Sequence, residues 1–332
     1  MQAWLPHRNL YLDELVRLEG RGAHGHYHRC GKCGTGTGVV YRCRGQECQG
    51  GQMFCKACTI QNHQYQPLHW IEEWTGHGYF ARTTLREMGL RFQLGHAPGS
   101  ICKIPRPANK NFVVIHTNGI HQLAVDFCGC DSSLAYTQQT LRAAWWPATT
   151  VDPQTCATIP CLRQFVLLNA LGNVSAYDYY RTLAALTNND RCVKVMDRRH
   201  SFTLVVKQYR HISMLKRGGR CHDDGGVNGT SDGELALACP ACPHPDINLP
   251  PDWRTAAQGQ AFKYWLFLAE DANFRICNRL VSNDEKDPVL GDGWGYMVKK
   301  DRYHEVLKKS IDADEVRGFG YQLSIRRLTR IC

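Results

Sequence analysis

Long apolar runs are missing from this 332-residue sequence. Its apolar segments are short, as residues 264–269 illustrate, whereas a membrane-spanning helix needs about 20 apolar residues. The first twenty residues contain Asp13, Glu14 and Glu19 and no uninterrupted apolar stretch, unlike a secretory signal. The sequence therefore predicts a protein that is neither embedded in a membrane nor secreted.

Residues 26–75 contain few aliphatic side chains. A segment of this composition buries too little apolar surface to fold on that basis alone. Cys and His are abundant instead, with 17 and 15 in the whole chain. Where no secretory signal is found, paired Cys-x2-Cys spacings indicate zinc ligands rather than disulfides.

Eight ligand-type residues fall within forty positions of this segment. Two tetrahedral zinc sites need eight nitrogen or sulfur ligands, so the number fits two sites. We predict an interleaved cross-brace, because interleaving fixes a short chain in two places. The first site would use Cys30, Cys33, Cys55 and Cys58, and the second Cys43, Cys48, His63 and His69.

The ligand set also predicts the role of the metal. Four protein ligands leave no open position for water, which favours structural over catalytic zinc. A RING series has a histidine in its middle, and this series does not. The order is closer to ZZ and B-box modules, which bind partners, and predicts a ZZ/B-box-like zinc cross-brace.

A second group of candidate ligands lies in the middle of the chain. Cys128-Gly129-Cys130 follows Cys102, and the upstream histidines are His96, His116 and His121. These residues predict a third zinc site, or alternatively reduced cysteines buried as small apolar side chains.

A third group surrounds the Cys239-Pro-Ala-Cys242 segment, with Cys221, His222 and His244 nearby. It predicts a further zinc site or, alternatively, a thioredoxin-like redox pair, although the βαβ pattern of such a pair does not follow. The ligands of these one or two additional sites would come from Cys102, Cys128, Cys130, Cys221, Cys239 and Cys242.

Periodicity and turn signals outline the remaining structure. Asn118-Gly119 predicts a hairpin turn between strands over 112–115 and 122–127. Residue 262 begins an apolar, strand-like run that reaches residue 269. Helices are predicted in residues 1–20, where an amphipathic pattern occurs, and over 161–171, 175–186 and 199–217.

Composition divides the chain into four predicted segments of a mixed α+β protein. Six glycines within residues 218–234 give that stretch a linker composition. The segments are an N-terminal helix in 1–25, the double-zinc segment 26–75, an α+β domain over 76–220 and a final unit over 221–332.

Most of the formal charge of +10 is local. Residues 191–220 contain nine Lys or Arg and one acid, Asp197. Such a cluster can contact nucleic-acid phosphates or can simply be a solvated helix face. The predicted DNA-binding residues are Arg198, Arg199, Arg210, Lys216 and Arg217.

Asp271 follows the apolar run over 262–269. An acid at the end of a strand is a suitable magnesium ligand in a two-metal nuclease, because the strand holds it rigidly. Glu270 is an alternative at the same place, and an ordinary turn residue is the other interpretation.

Several stretches resemble a known family. The segments PLHWIEEWTGHGYF, TLREMGLRFQLGH, HTNGIHQLAVDFCGC and LRAAWWPAT resemble the CxC-type (CxC2-like) cysteine cluster domain of fungal KDZ (Kyakuja-Dileera-Zisupton) transposases. LACPACPHPDINLP, LFLAEDANFRICNRL and GDGWGYMV resemble the start of the KDZ transposase domain. These motifs occur in the family's order up to about residue 298.

The resemblance implies a mobile-element protein with a zinc-bearing region that contacts DNA or chromatin. It assigns the CxC-type domain to 76–220 and the start of an RNase H-like α/β domain to 221–332. Asp271 matches the acid of the first catalytic strand, and 61 residues follow it. We therefore expect a C-terminally truncated transposase that is inactive alone, since Mg²⁺ would bind only to a complete catalytic domain.

The function predicted from these observations is that of a transposon-derived, zinc-binding protein that binds DNA or chromatin. The alternative is a ZZ-like zinc module that binds a peptide or histone tail and has no DNA role. An enzyme completed by acids from another chain is a third hypothesis. The presumed DNA substrate predicts a nuclear location.

Overall fold

A computed structural model describes residues 1–22, 29–36, 38–45, 48, 52–97, 99–130, 134–189, 195–257, 259–267, 285 and 287–310. Two compact units make up the chain, residues 1–209 and 210–332. Within the described ranges, no helix combines the length and the apolar character needed to cross a membrane.

The first unit begins with helix α1, Arg8–Glu19, which follows a 3-10 turn at Leu5–His7. No side chain of α1 is buried, so the predicted helix forms without the buried face of an amphipathic helix. Its C-terminal end is held by Arg42, whose guanidinium donates to the carbonyls of Leu18, Glu19 and Gly20 at 2.9, 3.0 and 2.7 Å. These are backbone acceptors that a helix end leaves unpaired.

A small antiparallel sheet follows, with strand order β1-β2-β3. Its strands are β1 (Tyr41–Cys43), β2 (Ile71–Trp74) and β3 (Phe80–Thr83), and helix α2 (Lys56–Asn62) lies between β1 and β2 in sequence. The apolar core here is small, as the sequence predicts. Its buried members are Tyr41, Ile71, Leu85, Met88 and Leu90.

The middle of the chain forms a four-stranded sheet of order β7-β6-β10-β9. Its strands are β6 (Val113–His116), β7 (Gly119–Gln122), β9 (Trp145–Pro147) and β10 (Thr155–Thr158). Strand β6 pairs antiparallel with β7 and parallel with β10.

The same region of the chain also forms a three-stranded sheet of order β4-β8-β5. Its strands are β4 (Phe92–Gln93), β5 (Pro105–Pro107) and β8 (Val125–Cys128). Helix α3, Tyr136–Arg142, follows β8.

The predicted hairpin forms, with Thr117 and Asn118 in its turn and Gly119 opposite His116, but the predicted continuous strand over 122–127 is wrong. That stretch is divided between β7, which ends at Gln122, and β8, which belongs to the other sheet. Packing explains the division, because Leu123 and Val125 enter a different apolar cluster from Ile120. Gly119 has a φ of +143°, and a Cβ there would lie 2.8 Å from the hydroxyl of Thr187.

The four-stranded sheet separates two apolar clusters. Val113 and Ile115 of β6 pack with three helices, whereas the alternate residue Val114 packs in the second cluster with Phe127 and Trp145. The helices are α4 (Ile159–Gly172), α5 (Ala176–Thr187) and α6 (Arg199–Arg217). The three predicted helices are thereby confirmed.

The second unit contains little regular structure among the described residues. After the last residues of α6 it has 3-10 turns at Val227–Gly229, Trp253–Thr255 and Ala261–Tyr264 and the helix α7 (Lys300–Ser310). The strand predicted from residue 262 is wrong in its described part. Phe262 is 50% exposed and Trp265 61%, so no neighbouring strand covers them. The RNase H-like start stays a prediction, and Glu270 and Asp271 lie outside the described residues.

Phe202 of α6 offers a test of this packing. Its side chain is fully buried, and its ring centroid lies 5.5 Å from that of Phe165 and 5.8 Å from that of Tyr179. We expect Phe202→Ala to lower the free energy of unfolding by about 3–5 kcal/mol, because it leaves a cavity between α4, α5 and α6. Urea denaturation of the full chain measures this.

Leu204→Ala, on the same helix, is the matched control. Leu204 is 40% exposed, so we expect a loss of less than about 1 kcal/mol. Equal losses for the two variants would contradict the packing described here.

Candidate metal centres

Four cysteine side chains meet beside the N-terminal end of α2, and we call them cluster A. They are Cys30, Cys33, Cys55 and Cys58, and their sulfur atoms all lie within 4.8 Å of one another. Cys33 Sγ is 3.9 Å from Cys55 Sγ. Tetrahedral zinc with Zn–S bonds of about 2.3 Å places sulfurs about 3.8 Å apart.

Backbone hydrogen bonds bring the two halves of cluster A together. Tyr41 and Phe54 exchange N–H···O bonds of 2.9 Å, and Gly31 N–H donates to the carbonyl of Met53 at 2.9 Å. The loop that carries Cys30 is thereby attached to the segment before Cys55.

The thiols of cluster A differ in acidity. Burial opposes ionisation of Cys30, but backbone N–H groups, including those of Cys33 and Lys32, outweigh it and lower its pKa to about 6. Burial and then the neighbouring sulfurs raise the pKa of Cys58 to about 12. Four crowded thiols therefore cannot all be thiolates at neutral pH unless a cation balances their charge.

Cluster B consists of Cys43, Cys48, His63 and His69, whose ligand atoms also lie within 4.8 Å of one another. His69 Nδ1 lies 3.3 Å from Cys43 Sγ and 3.5 Å from Cys48 Sγ. His63 Nε2 lies 3.7 Å from Cys48 Sγ. The set provides two sulfur and two nitrogen donors.

The tautomer of His63 suits a metal ligand. Its Nδ1 donates to the carbonyl of Thr59 at 2.8 Å, which leaves the unprotonated Nε2 facing Cys48. Burial lowers the pKa of His63 and so favours the neutral ring. A metal-bound histidine commonly has such a carbonyl partner for its other nitrogen.

Helix α2 belongs to both clusters. Cys55 is its N-cap and Cys58 lies in its first turn, whereas His63 is its C-cap. Along the chain, two residues of A, two of B, two of A and two of B follow one another. This is the interleaved grouping that the spacing predicts.

Cluster C lies in the middle of the chain and consists of His96, Cys102, Cys128 and Cys130, again within 4.8 Å. Cys128 Sγ is 3.0 Å from Cys130 Sγ and 3.8 Å from Cys102 Sγ. Cys130 Sγ is 3.3 Å from His96 Nε2. Strand β8 ends at Cys128 and pairs with both β4 and β5, so the three-stranded sheet assembles the cluster.

Gln139 of α3 fixes the backbone at Cys128. Its Oε1 accepts from Cys128 N–H at 2.8 Å, and its Nε2 donates to the Cys128 carbonyl at 3.0 Å. Gln139 is 1% exposed, so these bonds are shielded from water. They hold the strand end in place.

The sequence did not single out His96 as the nitrogen donor of cluster C. Three histidines were equally suitable, and the structure uses the other two elsewhere. His116 Nδ1 lies 2.8 Å from Thr158 Oγ1, and His121 Nε2 lies 2.7 Å from Asn118 Oδ1.

The three donor sets suit the same class of ion. They are four sulfurs in A, two sulfurs and two nitrogens in B, and three sulfurs and one nitrogen in C. Mg²⁺ and Ca²⁺ prefer oxygen, whereas zinc forms tetrahedral sites from thiolate and imidazole. Each cluster could therefore hold a metal ion of the zinc type.

A comparison with known protein families gives a match over the segment that contains cluster C. Residues 85–191 match the family of CxC2-like cysteine clusters associated with KDZ transposases. The predicted resemblance is confirmed over this range, which includes all four residues of cluster C. Clusters A and B lie N-terminal to the CxC2 segment. No curated protein and no solved structure matches the chain.

The other predicted metal ligands lie apart from these clusters. Cys221, Cys239 and Cys242 belong to the second unit, and no group of three or more ligand-type side chains forms around them among the described residues. Cys221 and Cys239 are exposed.

The predicted DNA-binding residues lie on or next to α6. Arg210, Lys216 and Arg217 are exposed, and Arg217 Nη2 donates to the Leu235 carbonyl at 3.1 Å. Arg198 is half-buried, whereas Arg199 is also exposed but lies over the ring of Tyr177 at 5.1 Å and within 4.0 Å of Asp197. The exposed positions are therefore the accessible cations of this set.

Gly45 provides a test of cluster B. A Cβ at Gly45 would lie 2.5 Å from His69 Nδ1, and the ring is packed against Cys43 and Cys48. We expect Gly45→Ala to displace His69 and to weaken one metal site by about 10–100-fold, as loss of a positioning contact does. Competition with a chromophoric chelator measures this affinity.

Gly36→Ala is the control, because a Cβ at Gly36 would meet no atom within 4 Å. It should leave every metal affinity unchanged. Unchanged affinities in Gly45→Ala as well would refute the assignment of His69 to a metal site.

Proposed function

We propose that this chain is a zinc-binding targeting region from a KDZ transposase, or from a protein derived from one, and that it binds DNA or chromatin in the nucleus. The observation that carries the proposal is the set of three four-donor clusters, one of which lies in the CxC2 segment. The basic helix α6 supports the nucleic-acid part of the proposal.

The role proposed for zinc is structural. Each cluster offers four protein donors, which fill a tetrahedral shell and leave no place for a reacting water. Bound zinc would supply cross-links between segments and would neutralise thiolate charge. Clusters A and B would thereby stabilise the segment that has few apolar side chains, whereas cluster C would join His96 to the end of β8.

The proposed nucleic-acid surface involves α6. Phe202, Val205 and Val206 are buried and anchor its first half, whereas Arg210 and Lys216 of its second half are exposed. Exposed cations on an anchored helix bind phosphates by releasing counterions. Such contacts position a protein on DNA without specifying sequence.

Removal of one ligand from each cluster tests the zinc assignment. We expect Cys33→Ser, Cys48→Ser and Cys130→Ser each to lower the zinc content by about one ion per chain, because a three-donor site binds zinc more weakly. Elemental mass spectrometry of the dialysed, reduced full chain gives the zinc-to-protein ratio.

Cys221→Ser is the control for these variants. Cys221 is exposed and lies in none of the three clusters, so the zinc content should not change. A zinc content unaffected by Cys130→Ser would remove cluster C from the proposal, and the same result for Cys33→Ser or Cys48→Ser would remove A or B.

Charge removal on α6 tests the DNA assignment. We expect the double variant Arg210→Gln/Lys216→Gln to bind duplex DNA more weakly and to reduce the slope of log K against log salt by about 2, or about 1 per lost phosphate contact. Fluorescence anisotropy at several salt concentrations measures both quantities.

Lys110→Gln/Arg163→Gln removes the same charge at exposed positions that are not on α6 and should change the slope little. Equal effects of the two double variants would mean that only net charge matters. If the chain bound no DNA but bound a histone-tail peptide, the ZZ-like peptide-binding alternative would replace the proposal.

A further inference from the structure

The loop Cys239-Pro240-Ala241-Cys242 has the backbone arrangement of a metal-binding turn. Hydrogen bonding by the Cys242 thiol, and then by the backbone N–H groups of Ala241 and Cys242, lowers the pKa of the Cys239 thiol. The Cys242 N–H also donates to the Cys239 carbonyl at 3.2 Å.

The Cys30-x2-Cys33 loop of cluster A shows the same arrangement. There, the N–H groups two and three residues after the first cysteine, those of Lys32 and Cys33, are directed at the sulfur of Cys30. Amide groups that point at a sulfur stabilise the thiolate, which is the form that binds metal. The loop at Cys239 therefore has the local geometry of half of a four-cysteine site.

Side chains of the same segment hold this loop in shape. His244 Nε2 donates to the Cys239 carbonyl at 2.8 Å, and Asn248 Nδ2 donates to the Cys242 carbonyl at 2.8 Å. The N–H of His244 in turn donates to Asn248 Oδ1 at 2.7 Å. The two thiols are thus positioned before any metal binds.

The loop offers only two ligands. Cys239 is exposed and Cys242 is partly exposed, so both are accessible to another molecule. In the described part of the chain, no third Cys, His, Asp or Glu side chain groups with them. A tetrahedral zinc ion needs two more donors.

We propose that a second copy of this chain completes the site, so that the Cys239 and Cys242 thiolates of two copies hold one zinc ion between them. A two-fold axis through the ion would bring the same pair of thiolates from each copy, which gives four sulfur donors and a closed, isologous contact. Because every copy contains the same loop, the thiolate pair of the second copy has the same geometry as that of the first.

Zinc-dependent self-association of the full chain tests this proposal. The chain, freed of loosely held metal and kept reduced with a phosphine, is titrated with zinc and followed by sedimentation velocity. We expect the mass to double as about half an equivalent of zinc per chain binds beyond that held by clusters A–C. Cys239→Ser/Cys242→Ser should stay monomeric and lose only this half equivalent, whereas Cys221→Ser should dimerise normally.

Other outcomes would overturn the proposal. A monomer that binds a full extra zinc through Cys239 and Cys242 would show that the same chain completes the site. A dimer that persists in the double variant would place the contact elsewhere. Cobalt substitution provides a second measurement, because the thiolate-to-cobalt absorption lost in the double variant must be that of a four-sulfur site. The zinc in clusters A–C is counted separately, so this proposal can fail while the proposed function stands.

Discussion

Thiol crowding is the constraint on which the N-terminal structure depends. In each of clusters A and B, four ligand atoms lie within 4.8 Å of one another, so that thiolates there repel each other and buried donors lose water. Among the described residues the neighbouring apolar core has five buried members, so burial alone has little surface with which to offset this cost. A bound cation would convert the repulsion into attraction, and the same eight residues would then link distant parts of the segment.

Cluster C, unlike clusters A and B, lies in a region with large apolar clusters of its own. The two apolar clusters of the middle region pack on either side of β6, and buried aromatic rings such as Phe112 and Phe165 fill them. A metal ion bound there would fasten the end of β8 to a preceding loop rather than replace a core. We therefore expect loss of metal from cluster C to loosen the end of β8, whereas loss from clusters A and B would destabilise the segment over residues 26–75.

The sequence grouped the ligands of A and B because they are local and alternate in Cys-x2-Cys and histidine pairs. The spacing of these residues alone indicates which four belong to each site. It did not select His96, because that choice depends on which loop the pairing of β4 with β8 brings beside Cys130, and two other histidines lie closer to Cys130 in sequence. The division of residues 122–127 between two sheets was missed for a similar reason, since it depends on which cluster Leu123 enters.

In helix α6, the local sequence pattern and the tertiary packing agree. Its span was predictable from a period of buried residues that includes Phe202 and Val205, and the same burial fixes the orientation of its first half. Arg210 and Lys216 lie at exposed positions, which are the complement of that buried pattern. Because closed four-donor sites leave no position for a reacting group, we expect any metal in clusters A–C to stabilise the structure rather than to take part in a reaction.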